Sequence, residues 1–278
     1  MTAPRRSMAG VAVPALGQGT WNMGDDPARR RRELEALRLG IELGMTLIDT
    51  AEMYGDGRSE SLVGEAIAGQ RDQVFLVSKV LPSNASRKGV ARSCEASLKR
   101  LKTDRLDLYL LHWSGSHPLA ETVRGFEDLV AAGKIRAWGV SNLDLGEMQK
   151  LVALPGGKAC ATNQVLYNLS RRGIEFDLLP WSQEHGMPVM AYSPVEQGRI
   201  LGNKALRAVA QRLGATPAQV ALAWVLRQDG VVAIPKAATP SHVRENRAAL
   251  DIRLGKEDLA ELDRAYAPPR GPVPLEMI

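Results

Sequence analysis

The sequence predicts a (β/α)8 barrel, on three observations. Apolar strand-like runs recur about every 25 to 35 residues, each followed by a stretch of helical periodicity, the pattern of βα units around a parallel sheet. Eight such runs can be counted. The chain has 278 residues with no Gly-, Ser- or Pro-rich linker, and one closed barrel commonly uses about 250 residues. Residues 1–278 therefore read as a single domain.

The elements follow in order. Arg5 and Arg6 precede a weakly apolar run, but Pro14 interrupts it, which argues against a twin-arginine export signal. Leu16–Trp21 is the first strand. Its Gly17 and Gly19 lack the third glycine of a dinucleotide fingerprint, and no helix starts directly after them. Helix Ala28–Leu43 opens on the basic run Arg29 to Arg32, read as a solvated helix start. Strand Thr46–Asp49 precedes helix Ser59–Ala68, with Ser59 as N-cap and Gly64 and Gly69 near the end. Strand Val74–Lys79 leads to helix Val90–Leu101, Asp107–His112 to Leu119–Ala132, Ile135–Ser141 to Leu145–Val152, and Ala161–Val165 to Glu175–Glu184. Strand Pro188–Tyr192 precedes two helices, Lys204–Leu213 and Pro217–Arg227, the second capped by Thr216 with proline at its first position. Strand Val231–Pro235 is followed by Val243–Ala249, then Lys256–Tyr266 and a proline-rich tail. Trp138, Trp181 and Trp224 fall within these patterns as core residues.

Composition narrows the function classes. Hydrophobic residues make up 45% and charged residues 24%, ordinary for a folded chain. Apolar runs such as Leu106 to Leu111 and Ala218 to Leu226 are far shorter than the roughly 18 residues of a membrane span. A net charge of +5 with 5% aromatics, not interleaved with the arginines, does not describe a nucleic-acid binder. Cys94 and Cys160 form neither a C-x-x-C site nor a disulfide framework, so a reducing cytoplasm is expected. His117 and His185 lack clustered partners, and no metal site is expected. No coiled-coil seam calls for assembly, and a monomer is expected.

The strands tend to stop at polar residues: Asp49, Lys79, His112, Ser141 with Asn142, Gln164, Tyr192 with Ser193, and Lys236. In a (β/α)8 barrel these ends converge on the face where active sites are built. Asp49, Tyr54, Lys79 and His112 have a joint chemical logic. A lysine ammonium beside a tyrosine lowers the phenol pKa from about 10, a carboxylate keeps the buried lysine charged, and a histidine orients a carbonyl oxygen. Together they form a proton donor for a developing alkoxide. Trp21, Met53 and Trp113, with Tyr54 and His112, are candidate walls of a substrate pocket, and Leu81 is a further one.

The same residues carry a resemblance. Asp49-Thr-Ala-Glu-Met-Tyr54-Gly55, Ser78-Lys79, Leu111-His112-Trp113, Gly139-Val-Ser-Asn142, Asn163-Gln164, Ala191-Tyr-Ser-Pro194 and Ile234-Pro-Lys236 through Glu245-Asn246 resemble the aldo-keto reductase superfamily, in order from about Leu16 to Ala249. The local sequence is most similar to bacterial reductases of methylglyoxal and related small aldehydes. The resemblance implies bound NADPH across the C-terminal face and a tetrad of Asp49, Tyr54, Lys79 and His112. It assigns Gly19, Thr20, Trp21 and Asp49 to the cofactor site. Ser141, Asn142 and Gln164 would bond the nicotinamide carboxamide, and Tyr192 would stack on its ring. Ser193, Pro194, Val195, Glu196 and Gln197 would follow the pyrophosphate. Ile234, Lys236, Ala237, Thr239, His242, Glu245 and Asn246 would line the adenosine end. His242 stands where many NADPH-using relatives have arginine, and Ala237 where a serine is common, which leaves Lys236 and Arg244 for the 2′-phosphate.

Carbonyl reduction by an enzyme is the leading expectation, with a small-molecule carbonyl as partner. Two others stand beside it. A Schiff-base lyase would use Lys79 as a nucleophile, which requires an uncharged amine and is opposed by Asp49. A redox-sensing subunit would keep the nucleotide with little turnover, and an intact tetrad argues against it.

Overall fold

The computed structural model describes residues 4–278. Strands β3 (Gln18–Gly19), β4 (Leu47–Asp49), β5 (Phe75–Val80), β6 (Leu106–Leu111), β7 (Ile135–Ser141), β8 (Asn163–Leu166), β9 (Val189–Tyr192) and β10 (Val231–Ala233) pair in parallel and in chain order. Parallel bridges Leu16–Ala233 and Gly19–Lys236 join the first strand to the last, where Gly17 N donates to Ala233 O at 2.8 Å and Gly19 N to Pro235 O at 3.0 Å. The seam needs glycine: a Cβ at Gly19 would lie 2.7 Å from the Ile234 carbonyl oxygen. All eight expected strands are present.

Helices α1 (Arg30–Glu42), α2 (Arg58–Ala66), α3 (Arg87–Leu101), α4 (Leu119–Ala131), α5 (Leu145–Ala153), α6 (Leu178–Glu184), α7 (Lys204–Arg212), α8 (Pro217–Leu226), α9 (Pro240–Ala248) and α10 (Lys256–Ala265) complete the chain. Their apolar faces bury against the outside of the strands in one cluster running from Ala15 to Leu262. A second cluster fills the barrel interior with Leu47, Phe75, Val77, Leu108, Leu110, Met190 and Val232. Parallel strands covered on both faces read as continuous apolar runs, which is why they are visible in the sequence. Among the described residues, no helix is long and apolar enough to cross a membrane.

Three features differ from expectation. Upstream of the barrel, β1 (Arg5–Met8) and β2 (Val11–Pro14) form an antiparallel hairpin. Its Met8 and Val13 join the interior cluster and stopper the barrel. Ser59 is not an N-cap. Gly57, at φ +85°, occupies the cap of α2, and the Ser59 hydroxyl is buried, donating to Thr20 O at 3.0 Å and accepting from Thr50 Oγ1 at 3.1 Å. Trp138 and Trp224 are fully buried, but Trp181 is only partly so and stacks on His185. Thr216 caps α8 as expected, in a capping box with Gln219.

Candidate active site

Three strands and one loop bring the expected tetrad together. Asp49 ends β4, Lys79 lies near the end of β5, His112 follows β6, and Tyr54 starts a 3-10 turn after β4. The Lys79 ammonium is fully buried and donates to Asp49 Oδ2 at 2.7 Å, Thr50 O at 2.9 Å and Tyr54 Oη at 3.1 Å. A lysine ammonium has three donors, and all three are used. Asp49, 2% exposed, accepts its second bond from Gln164 Nε2 on the far side of the barrel at 2.7 Å. Thr20 Oγ1 donates to Asp49 O at 2.9 Å and receives Ser59 Oγ at 2.8 Å, tying the ends of β3 and β4 to α2.

These contacts fix the charges. Burial, the largest single influence, pushes the Lys79 pKa down, but Asp49 and Tyr54 together raise it and the net direction is up, so Lys79 is an ammonium. A nucleophilic amine must be neutral, and the lyase reading loses its basis. The Tyr54 pKa corrects the sequence reading. Burial raises it, Lys79 lowers it, Asp49 raises it, and the net shift is upward rather than downward. The phenol is a neutral, protonated acid in the resting site. His112 is driven down to about 2, by burial first and by Lys79 second, so its imidazole is neutral. Its ring meets Tyr54 edge-on with centroids 5.7 Å apart, and its Nδ1 is buried without a protein partner.

Around this centre, Trp21 and Met53 are exposed at 43% and 40%, and Trp113 is half-buried with its ring 4.9 Å from His112. Leu81 is also half-buried, and its N–H is held by Glu52. Large apolar side chains left open beside a buried polar cluster are the kind of lining that a ligand site requires.

The other strand ends lie on the same rim. Ser141 Oγ donates to Gln164 O at 2.8 Å, and Asn142, in the left-handed region at φ +59°, donates to His112 O at 3.2 Å. The Tyr192 hydroxyl donates to Asn142 Oδ1 at 3.0 Å, which holds a half-buried ring in one orientation. Ser193, Glu196 and Gln197 all have positive φ, near +50°, and the loop closes on itself, Glu196 N donating to Ser193 O at 2.9 Å and Gly198 N to Val195 O at 2.8 Å. Pro194 is buried and Val195 half-buried. Glu196 is only 3% exposed, and its carboxylate is committed to Arg171, Arg199 and Asn168. Ile234 is buried at the barrel seam, while Lys236 and His242 are exposed and Ala237 is half-buried. Thr239 caps α9, accepting from His242 N at 3.3 Å. Glu245 accepts from Thr216 Oγ1 at 2.6 Å and so links α9 to α8, and Asn246 is buried. Cys94 and Cys160 are buried away from this rim, their thiols pushed up to about 12 chiefly by burial.

Sequence reasoning missed Asn168 and Arg171. Asn168 Nδ2 donates to Ser193 O at 2.9 Å and to Glu196 Oε2 at 2.8 Å, supporting the loop after β9. Asn168 is a polar residue just past a strand end, the signal used for the others, but β8 runs to Leu166 rather than Val165. Arg171 has no local signal, since its partners are 25 and 105 residues away.

A profile of the aldo/keto reductase family matches residues 15–267. Methylglyoxal reductase YeaE of Escherichia coli K12 is 58% identical over 273 residues, 96% of this chain and 96% of its own. Glyoxal reductase of Bacillus subtilis is 33% identical over 273 residues, 97% of this chain and 95% of its own. The crystal structure of an aldo-keto reductase from Klebsiella pneumoniae in complex with NADPH superposes with a TM-score of 0.98 at 54% identity, with 100% of both chains covered. With an eight-stranded parallel barrel and the expected motifs on one rim, the chain belongs to the aldo/keto reductase family.

Proposed function

We propose that this chain is an NADPH-dependent reductase of small reactive carbonyls such as methylglyoxal, with Tyr54 as proton donor. The observation that carries the reading is the buried Lys79 ammonium shared between Asp49 and the Tyr54 hydroxyl. The named activities of the E. coli and B. subtilis relatives and the NADPH of the Klebsiella structure support it.

The residues of the rim suit the cofactor. The held Tyr192 ring offers a flat face to the nicotinamide, and Ser141, Asn142 and Gln164 offer hydroxyl and amide groups to its carboxamide. The loop from Ser193 to Gln197 is the segment for the pyrophosphate, and its one carboxylate, Glu196, is paired with Arg171 and Arg199. Lys236 and Arg244, both exposed at or near α9, suit the 2′-phosphate. When bound, the nicotinamide supplies the hydride that reduces the carbonyl carbon. Tyr54 passes its proton to the carbonyl oxygen, Lys79 stabilises the phenolate that remains, and Asp49 keeps Lys79 charged. His112, neutral, orients the oxygen as a hydrogen-bond donor. Trp21, Met53 and Trp113 exclude water from a compact substrate.

The reading extends to a single domain over residues 1–278, supported by the continuous cluster from Ala15 to Leu262, and to a monomer in the cytoplasm. Two unpaired thiols support the compartment. Among the described residues, five of the seven exposed large apolar side chains belong to the pocket wall or the tail (Trp21, Met53, Val273, Met277, Ile278), which leaves little apolar surface for self-association.

The test is NADPH oxidation with methylglyoxal, aromatic aldehydes and a steroid ketone, for the wild type and Tyr54→Phe. Turnover with the small aldehydes is expected, and Tyr54→Phe should lose about 10²- to 10⁴-fold in kcat at unchanged NADPH affinity. Near-normal turnover by that variant, or a higher kcat/KM for the steroid ketone, overturns the reading.

A further inference from the structure

Arg171 stands between two segments far apart in sequence. Its Nε and Nη2 donate to Glu196 Oε1 at 3.2 and 3.0 Å, while its Nη1 donates to Glu276 of the tail. The position is built locally. Asn168 Oδ1 accepts from Ser170 N and Oγ, both at 2.9 Å, and Arg171 N donates to Asn168 O at 3.0 Å, closing a tight turn after β8 that aims the guanidinium. The same Asn168 donates to Glu196 Oε2.

Both segments need to be held. Glu196 and Gln197 are consecutive non-glycine residues in the left-handed region, at φ +49° and +54°, a conformation that persists only where surrounding contacts impose it. The tail lies on Gly173, where an added Cβ would come within 2.6 Å of Val273 Cγ2. Leu275 packs on the core, and the Ile278 backbone lies close enough to the Tyr192 hydroxyl to oppose the rise in its pKa that burial causes. The contacts make a circuit: from Glu196 through Arg171 to Glu276, along the tail to Ile278, and back to Tyr192, four residues before Glu196.

We propose that Arg171 is a positioning residue that couples the nucleotide loop after β9 to the C-terminal tail, so that fixing either segment fixes the other. The proposal rests on the reductase reading for what the two segments bind, but the coupling itself is a property of the protein without ligand. A guanidinium is needed because its planar fork serves two carboxylates at once, which a lysine ammonium on a flexible stem does not reproduce.

Hydrogen exchange of the ligand-free protein reads the coupling directly. Glu276→Gln removes a charge whose only side-chain partner among the described residues is Arg171. It should speed exchange in residues 273–278 and also in the loop 193–198. It should weaken NADPH binding about 2- to 5-fold, as loss of a partly exposed ion pair allows, and raise KM for methylglyoxal. Arg171→Lys and Arg171→Ala should loosen both segments, the latter weakening NADPH about tenfold because buried Glu196 loses a partner. In the Arg171→Ala background, Glu276→Gln should add nothing, the signature of one shared interaction. Exchange altered only in the tail with NADPH affinity unchanged in Glu276→Gln, or independent effects of the two substitutions, overturns the proposal. Coupled exchange in a protein that binds no NADPH would support it and overturn the reductase reading instead.

Discussion

Lys79→Met separates the two roles of the buried ammonium, because one is structural and the other chemical. The substitution keeps the stem but removes the charge, leaving Asp49, 2% exposed, with the neutral Gln164 amide as its side-chain partner. Stranding one member of a buried pair typically costs about 3–5 kcal/mol of stability. Adding Asp49→Asn removes the stranded charge while keeping an oxygen to accept from Gln164, so most of that loss should return. Activity should not return with it. Without an ammonium 3.1 Å from its hydroxyl, Tyr54 is a weaker acid still, and a loss of about 10²- to 10⁴-fold should persist in both variants. Urea unfolding measures the first quantity and NADPH oxidation with methylglyoxal the second. A double variant that recovers turnover along with stability would refute the argument, since Lys79 would then matter only as the partner of Asp49. So would a single variant as stable as wild type.

Three further outcomes follow from the same geometry. With Tyr54 shifted above its ordinary value by burial and His112 lowered to about 2, neither group titrates near neutrality, and kcat should be level from about pH 6 to 9; a kinetic pKa in that window that disappears in Tyr54→Phe contradicts the assignment. His112 also makes the fold acid-sensitive. Well above pH 6.5 it is neutral in both states and contributes nothing, whereas below this the unfolded chain takes a proton that the native site refuses, so stability falls by roughly 2 kcal/mol between pH 6.5 and 4.5. His112→Gln should flatten that slope in denaturant titrations, and an unchanged slope rules His112 out as its source. Gly19→Ala sets a methyl 2.7 Å from the Ile234 carbonyl and should cost about 1–3 kcal/mol by forcing the β3–β10 seam apart; wild-type thermal stability in that variant would mean the seam is not where the barrel is tight.

The parts legible in the sequence are those with a local signature. Buried parallel strands appear as apolar runs, and the polar residue ending each run points to the rim, which is how Asp49, Lys79, His112 and Gln164 were found although Asp49 and Gln164 are 115 residues apart. The hairpin β1–β2 was hidden because its turn places Ala9 at φ +52° beside Gly10 at +72°, and alanine gives no hint of a left-handed conformation. Ser59 precedes a helical pattern as an N-cap would, but Gly57 reaches the cap first and frees the serine for the buried Thr20–Thr50 network. Arg171 is of a third kind: arginines are common in this chain, and only the fold decides which one meets two carboxylates from distant segments.

The sign of the Tyr54 shift was illegible for a deeper reason, and the corrected sign alters the mechanism. Sequence places a cation and a phenol together but not how far water is excluded from them, and here burial outweighs the Lys79 field. A phenol already lowered toward neutrality would spend part of its time ionised, unable to give a proton. Held neutral, it is always ready to donate, and the contribution of Lys79 moves from the resting state to the reaction. As the carbonyl oxygen gains charge and takes the proton, phenolate character develops beside an ammonium already oriented by Asp49 and Thr50. The attraction therefore grows during the step instead of being satisfied before it. An interaction that strengthens only toward the transition state raises the rate, whereas one equally strong beforehand does not. Asp49 serves the same end: by keeping Lys79 charged in a site that would otherwise favour the neutral amine, it preserves the field that the departing proton requires.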